Sequence, residues 1–268
     1  MIYMLREPVV AGMFYERDAP ALKKHISKYI IQKQEKYKSK AVVVPHAGYI
    51  YSGRVAGEVY SSIEIPDLII ILGPNHTGAG KPISVMTEGI WRTPFGDVKI
   101  NEPLANEIIK KCSAASKDDR AHLKEHSVEV QLPFLQYIKK SFSFIPVVLG
   151  DYNINNLQIF ADALAQIFKE KDVLIVASTD LTHYEDADSA KEKDTLVLKA
   201  IEKLDEEEMI KQVEDKDISM CGWMPTYVAI RAAKLLGATK GIIIKYMNSG
   251  DVSGDYSQVV GYGGAAII

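Results

Sequence analysis

The sequence predicts an α/β fold: a single domain over residues 1–268, with a central mixed β-sheet and helices on both faces. Three observations predict it. Short aliphatic, largely β-branched runs at residues 42–44, 68–72 and 173–177 have the length and composition of strands buried on both sides. Amphipathic segments alternate with them, as they do when helices cover a sheet. No Gly/Ser linker, composition break or long-period repeat divides the 268 residues, a length that one large α/β domain fills.

Taken in order, Arg6-Glu7-Pro8-Val9-Val10-Ala11-Gly12-Met13-Phe14-Tyr15 reads as extended and turn-like. Asp18-Ala19-Pro20 offers a helix start with proline in the first turn, and Leu22, Ile26, Ile30 and Ile31 carry the apolar stripe to about Gln34. After the first strand, residues 48–53 form a glycine-bracketed loop and 54–63 have helical character. The second strand, at Leu68, leads into a glycine- and proline-containing loop over 73–81. Short strands at Ile83-Ser84-Val85-Met86 and Gly89-Ile90-Trp91, with a turn at Thr93-Pro94-Phe95-Gly96-Asp97 before Val98, predict a β-hairpin insertion. Further helices are expected over 102–111, from Val130 to Ile138 with Pro133 in an early turn, over 153–169 and over 227–236. Strands follow at 143–149, from Val173, at 241–246 and at 259–268. The charged segment 187–217, with Leu196, Val197, Ala200, Ile201 and Leu204 on one face, reads as a solvated surface helix pair.

Composition narrows the function. A net charge of −3, with acidic and basic residues interspersed, favours neither nucleic acid nor an anionic membrane as partner. No apolar run reaches the length of a membrane span, and the stretch from Met1 to Arg6 lacks the basic and apolar regions of a signal peptide, so the expected compartment is the cytosol. Two cysteines, Cys112 and Cys221, make no disulfide framework.

The informative residues are histidines. His46, His76 and His183 each follow closely on a predicted buried strand, where open α/β sheets place their ligands. One such histidine is as readily a capping or packing residue; three together read as a site. His46 and His76 belong to neighbouring strand–loop units and suit a shared metal ion. His122 and His126 are spaced i, i+4; His126 is expected to face substrate or support a ligand, His122 to lie on the surface, and His25 to be structural. Asp180 and His183 stand three residues apart, the pairing a general acid/base requires, although Asp180 is also a natural turn cap. Cys221 is either a small buried hydrophobe or, at a predicted helix start, a thiolate favoured by the helix dipole. Cys112 falls in a lysine-bearing helix expected at the surface.

Those stretches carry a resemblance. The N-terminal segment Arg6 to Tyr15, Pro45-His46-Ala47-Gly48-Tyr49-Ile50-Tyr51-Ser52-Gly53, Gly73-Pro74-Asn75-His76, Glu125-His126-Ser127-Val128-Glu129, Ser178-Thr179-Asp180-Leu181-Thr182-His183 and Cys221-Gly222 resemble, in order, the motif series of the Memo family, also known as AmmeMemoRadiSam system protein B. That family is similar in fold to the class III extradiol ring-cleaving dioxygenases, with a non-haem iron pocket. The resemblance implies a metal set of His46, His76 and Cys221, with catalytic or pocket roles for Asp180, His183 and His126. The dioxygenases use two His and one Glu, and a thiolate in place of that carboxylate shifts preference towards copper or zinc, with iron still compatible.

Three functions are therefore expected as alternatives: an iron- or copper-dependent oxidoreductase, a zinc hydrolase whose metal-bound water is activated by Asp180 or His183, or a binding module. The last follows from the association of animal relatives with phosphotyrosine peptides, for which Arg54 and Arg92 are conceivable anion partners. The ligand is a small molecule or peptide in each case.

Overall fold

The aliphatic runs do form the centre of the molecule. The computed structural model describes residues 4–268. Its elements are β1 (Leu5–Arg6), α1 (Ala19–Ile26), β2 (Ala41–Val44), α2 (Tyr49–Ser61), β3 (Leu68–Pro74), β4 (Ile83–Val85), β5 (Ile90–Thr93), β6 (Gly96–Lys99), α3 (Glu102–Lys111), β7 (Ser116–Lys117) and α4 (Leu132–Ile138). There follow β8 (Ser143–Leu149), α5 (Ile154–Phe168), β9 (Val173–Ser178), β10 (His183–Glu185), α6 (Ala187–Lys203), α7 (Glu206–Asp215), α8 (Trp223–Leu235), β11 (Gly241–Asn248), α9 (Gly250–Ser253) and β12 (Val259–Ile267). Among the described residues, no helix is long and apolar enough to cross a membrane.

The main sheet has nine strands in the order β10-β12-β2-β9-β3-β8-β4-β7, with β11 on β12. Its middle, β2-β9-β3-β8, is parallel, while β12 and β4 run antiparallel to β2 and β8, so the sheet is mixed as expected. Alternation along β12 assigns the faces. Gly261 and Gly263 lie under Asp194 and Leu198 of α6, and Gly264 lies under Val55 and Val59 of α2. Helix α2, with α4 and α1 beyond it, thus covers one face; α6, α7, α8 and α5 pack in succession on the other.

Several boundaries differ from expectation for packing reasons. Helix α1 stops at Ile26 rather than near Gln34, and α2 starts at Tyr49 rather than Arg54. The segment after α1 brings Tyr29 against α2. Gly53 and Gly57, one turn apart on α2, receive the Tyr29 ring and backbone so closely that a Cβ at either would lie 2.5 Å from it. These glycines serve close approach within a helix, not a loop. The hairpin is β5–β6, and it joins β1 in a separate three-stranded sheet, whereas β4 pairs with β8 in the main sheet. Segment 187–217 is a helix pair, but α6 buries Asp194, Val197 and Ile201 and is less solvated than expected. Cys112, expected at the surface, is buried at the end of α3, because its position continues the inward stripe of Ala105 and Ile108.

Substituting Gly57→Val should therefore force α2 away from the Tyr29 backbone. Overpacking of this kind costs about 2 kcal/mol, roughly a 5 °C fall in melting temperature for a chain of this size. An unchanged melting temperature by calorimetry would contradict the Tyr29 contact.

Candidate metal centre

Strands β2, β3 and β9 are parallel and adjacent, so the loops after them meet at one end of the sheet. His46 follows β2, His76 follows β3, and Asp180 follows β9; the loop before α4 adds His126. Ring centroids are 5.1 Å apart for His46 and His76, 5.5 Å for His46 and His126, and 4.6 Å for His76 and His126. One donor atom from each of the three lies within 4.8 Å of the others. Donors around a tetrahedral ion bound at about 2.1 Å are roughly 3.4 Å apart, so the three rings would have to close by about an ångström to share one ion. They open into a cavity of about 470 Å³ that Phe14, Asp180, His183, Cys221 and Tyr262 also line.

Hydrogen bonding assigns the His46 tautomer. Ser178 Oγ donates to the Ser127 carbonyl at 2.7 Å and accepts from Gln131 Nε2 at 2.9 Å. The same Nε2 donates to the Pro45 carbonyl, which fixes the amide's orientation. With its one proton used, Ser178 Oγ must accept from His46 Nδ1 at 3.0 Å. Nε2 of His46 then carries a lone pair. Burial, followed by the neighbouring imidazoles, holds the His46 pKa well below its ordinary value and keeps Nε2 unprotonated, with the Cys221 thiol 3.3 Å away.

His76 is set by a carboxylate. Its Nδ1 lies 2.8 Å from Glu125 Oε1, an acceptor only, so the proton is on Nδ1 and Nε2 is again the free donor. Glu125 is fully buried and also accepts the backbone N–H groups of His76, His126 and Ser127 at 2.7–2.9 Å. Burial alone would raise its pKa, but the His76 hydrogen bond and the surrounding amides bring it down to about 2. A carboxylate behind a histidine in this way fixes the ring and increases its basicity towards a metal.

The expected site residues fall into place unequally. His126 stands in the cluster itself, stacked on His76 and edge-on to Phe14 at 4.9 Å. Cys221 Sγ lies 3.3 Å from His46 Nε2 and accepts the Asp180 N–H at 3.3 Å. It immediately precedes the start of α8, but the expected thiolate is not favoured: burial, then the Asp180 carboxylate, push its pKa up. Asp180 Oδ1 accepts the His46 N–H at 2.8 Å, and burial raises its pKa to about 6. The expected pairing of Asp180 with the His183 ring is replaced by another. His183 Nδ1 lies 2.9 Å from the Ser219 carbonyl, and its backbone N–H donates to Ser219 Oγ, so Ser219 orients the ring.

His122, expected at the surface, is fully buried edge-on to Trp91, and burial lowers its pKa to about 3. Packing on Trp91, with Arg6 Nε donating to the His122 carbonyl at 3.1 Å, holds it inside despite its charged sequence neighbours. His25 bridges Glu16 and Tyr29 beneath α2. Neither conceivable anion partner lines the cavity: Arg92 pairs with Glu7 and Asp97, and Arg54 is exposed on α2.

Glu125, Ser178 and Gln131 were not singled out from the sequence. For Glu125 a signal existed, a carboxylate next to a candidate histidine at the edge of an apolar run. Glu129, four residues on, is buried too. It pairs with Arg6 and accepts the Val9 and Val10 N–H groups and the Tyr15 hydroxyl, which fastens the N-terminal segment, with Phe14, over the cavity.

Residues 6–266 match the profile of Memo, the Memo-like protein family. A MEMO1 family protein of Aquifex aeolicus is 48% identical over 96% of this chain and 97% of its own length. Another from Methanopyrus kandleri is 43% identical over 99% of each. A crystal structure of an uncharacterized Escherichia coli K12 protein superposes with a TM-score of 0.54 at 12% identity, covering 82% of this chain and 98% of that one, a likeness of fold alone.

Replacing Glu125 by Gln should weaken metal binding about 10- to 100-fold, because an amide cannot accept from both the His76 ring and the three backbone N–H groups. Titration calorimetry with Zn²⁺ measures it; parental affinity in Glu125→Gln would remove the carboxylate from the site's design.

Proposed function

The chain belongs to the Memo family, and from that premise we propose that its histidine pocket holds a redox-active metal, iron or copper, and acts on a small organic molecule as an oxidoreductase. One observation carries the reading: three imidazoles converge while protein acceptors occupy Nδ1 of His46 and His76, leaving Nε2 lone pairs for an ion. The donors suit the proposed metals. Imidazole accommodates iron, copper and zinc, and a thiol beside His46 adds a soft donor that favours copper. In this reading His46, His76 and His126 hold the metal, and Cys221 completes the set once the ion's charge offsets the burial that keeps the thiol protonated. A metal held there would supply one-electron chemistry and a Lewis acid.

The remaining roles belong to the protein. His183, with Nδ1 committed to Ser219, presents Nε2 to take a proton from a ligand in the cavity. Asp180 holds the His46 backbone and contributes negative charge beside the ion. Phe14 narrows the entrance over His126. The family's resemblance in fold to ring-cleaving dioxygenases supports oxidative chemistry, but ring cleavage itself is not part of the proposal.

A second reading has its own support. Three imidazoles and a buried carboxylate with a pKa near 6 also fit a zinc hydrolase, with Asp180 as base. The phosphotyrosine-binding module has less: among the described residues no Lys or Arg lines the cavity to meet the double charge of a phosphate.

Protein purified without oxygen should carry close to one iron or copper per chain by elemental analysis. His46→Ala and His76→Ala should each retain less than about a tenth of it, since each removes one of few donors, while His183→Ala should keep its metal. Stoichiometric zinc with no redox metal would favour the hydrolase, and metal loss in His183→Ala would make that residue a ligand.

A further inference from the structure

Tyr262 is a buried polar residue of the pocket with no task in the site described so far. It lies on β12, whose register pairs Ala265 with Val43 of β2 and Ala266 with Val42. Carried three residues further in each strand, that register sets Tyr262 level with His46. Alternation then turns its side chain to the α2 face, the face on which Gly264 meets Val55 and Val59, and away from Asp194 and Leu198. The ring is buried, 2% exposed, and lines the cavity together with His46, Asp180 and Cys221.

Its hydroxyl is what sets it apart. The four other buried tyrosines all spend theirs on the protein: Tyr15 on Glu129, Tyr49 on the Val130 carbonyl, Tyr60 on Gln131 and Tyr227 on Glu207. Among the described residues no hydrogen bond reaches the Tyr262 hydroxyl, and it is not one of the unpartnered polar atoms sealed from solvent, so it opens to the cavity. A buried tyrosine normally finds a partner for its hydroxyl. Here the partner must come from whatever enters.

We propose that Tyr262 is a ligand-binding residue whose hydroxyl donates a hydrogen bond to an anionic oxygen of a small organic ligand, a carboxylate or enolate on an apolar body. The inference deepens the small-molecule reading above and rests on it. Burial and the Asp180 carboxylate keep the phenol protonated and hence a donor. The cavity offers no Lys or Arg among the described residues, so phenols are the neutral donors left to meet an oxyanion, and of the two that line it Tyr184 is 74% exposed while Tyr262 is buried beside His46 and Cys221; a donor-to-anion bond is the stronger kind. Phe14 and Val260 supply the apolar walls for the rest of the ligand.

Benzoate, an oxyanion on an apolar body, is a suitable probe. Its affinity is measured by titration calorimetry on the full chain, zinc-loaded and chelator-treated, for the parent, Tyr262→Phe and the exposed control Tyr256→Phe. Tyr262→Phe should weaken benzoate about tenfold or more, the scale of a hydrogen bond to a charged group, with melting temperature and zinc uptake unchanged; Tyr256→Phe should match the parent. A melting temperature lowered by several degrees in Tyr262→Phe would mean that the hydroxyl serves the fold, and unchanged benzoate affinity, or no benzoate binding by either form of the parent, would likewise overturn the proposal. If zinc is not taken up but benzoate still binds through Tyr262, the metal reading falls and this one stands; stoichiometric zinc with benzoate indifferent to Tyr262→Phe gives the reverse.

Discussion

A carboxylate shut away from water must collect its hydrogen bonds from the chain around it, and the segment before α4 holds two, Glu125 and Glu129. Glu125 gathers the His76 ring and three backbone N–H groups; Glu129 gathers Arg6, two backbone N–H groups and the Tyr15 hydroxyl. Arg6 ties the two positions together by donating to the Glu125 carbonyl as well, at 2.6 Å, with its guanidinium 4.1 Å above the Trp91 ring. One short stretch thus orders the loop after β3 and the N-terminal segment that carries Phe14. Both walls of the pocket depend on these four residues of sequence separation.

The same economy extends to His46. Ser178, at the end of β9, links the His46 ring to the Ser127 carbonyl and to Gln131, so the strand that separates β2 from β3 also relays the position of the Glu125 segment to the first histidine. The His46 and His76 rings are each held from behind, by a neutral and an anionic acceptor respectively, and three imidazoles this close cannot all be protonated without repulsion. Burial acts in the same direction on His46 and His126, whereas at His76 burial is outweighed by the hydrogen bond and charge of Glu125, which raise its pKa.

Much of this was legible in the sequence. The six strands expected at Val42, Leu68, Phe144, Val173, Ile242 and Val259 all occur, because buried parallel strands read as aliphatic runs. His46 and His76 were legible for the same reason, as breaks at strand ends. Partners supplied by distant segments were less legible. Nothing local marks Tyr29 as the residue that packs on Gly53 and Gly57, or Ser219 as the acceptor for His183. The thiolate expected at Cys221 followed from helix polarity alone, and burial beside Asp180 outweighs a dipole contribution of about 1 kcal/mol or less. His126 shows the limit from the other side: its motif was visible, but its place among the imidazoles depends on how the Glu125 segment folds back over β3.

The central claim is that imidazoles converge on one ion. X-ray absorption at the zinc edge of the zinc-loaded protein tests it most directly. The account expects three imidazole nitrogens at about 2.0–2.1 Å with their outer-shell scattering, and a sulfur shell near 2.3 Å if Cys221 joins them. A zinc environment of oxygen atoms with fewer than two imidazoles would contradict it.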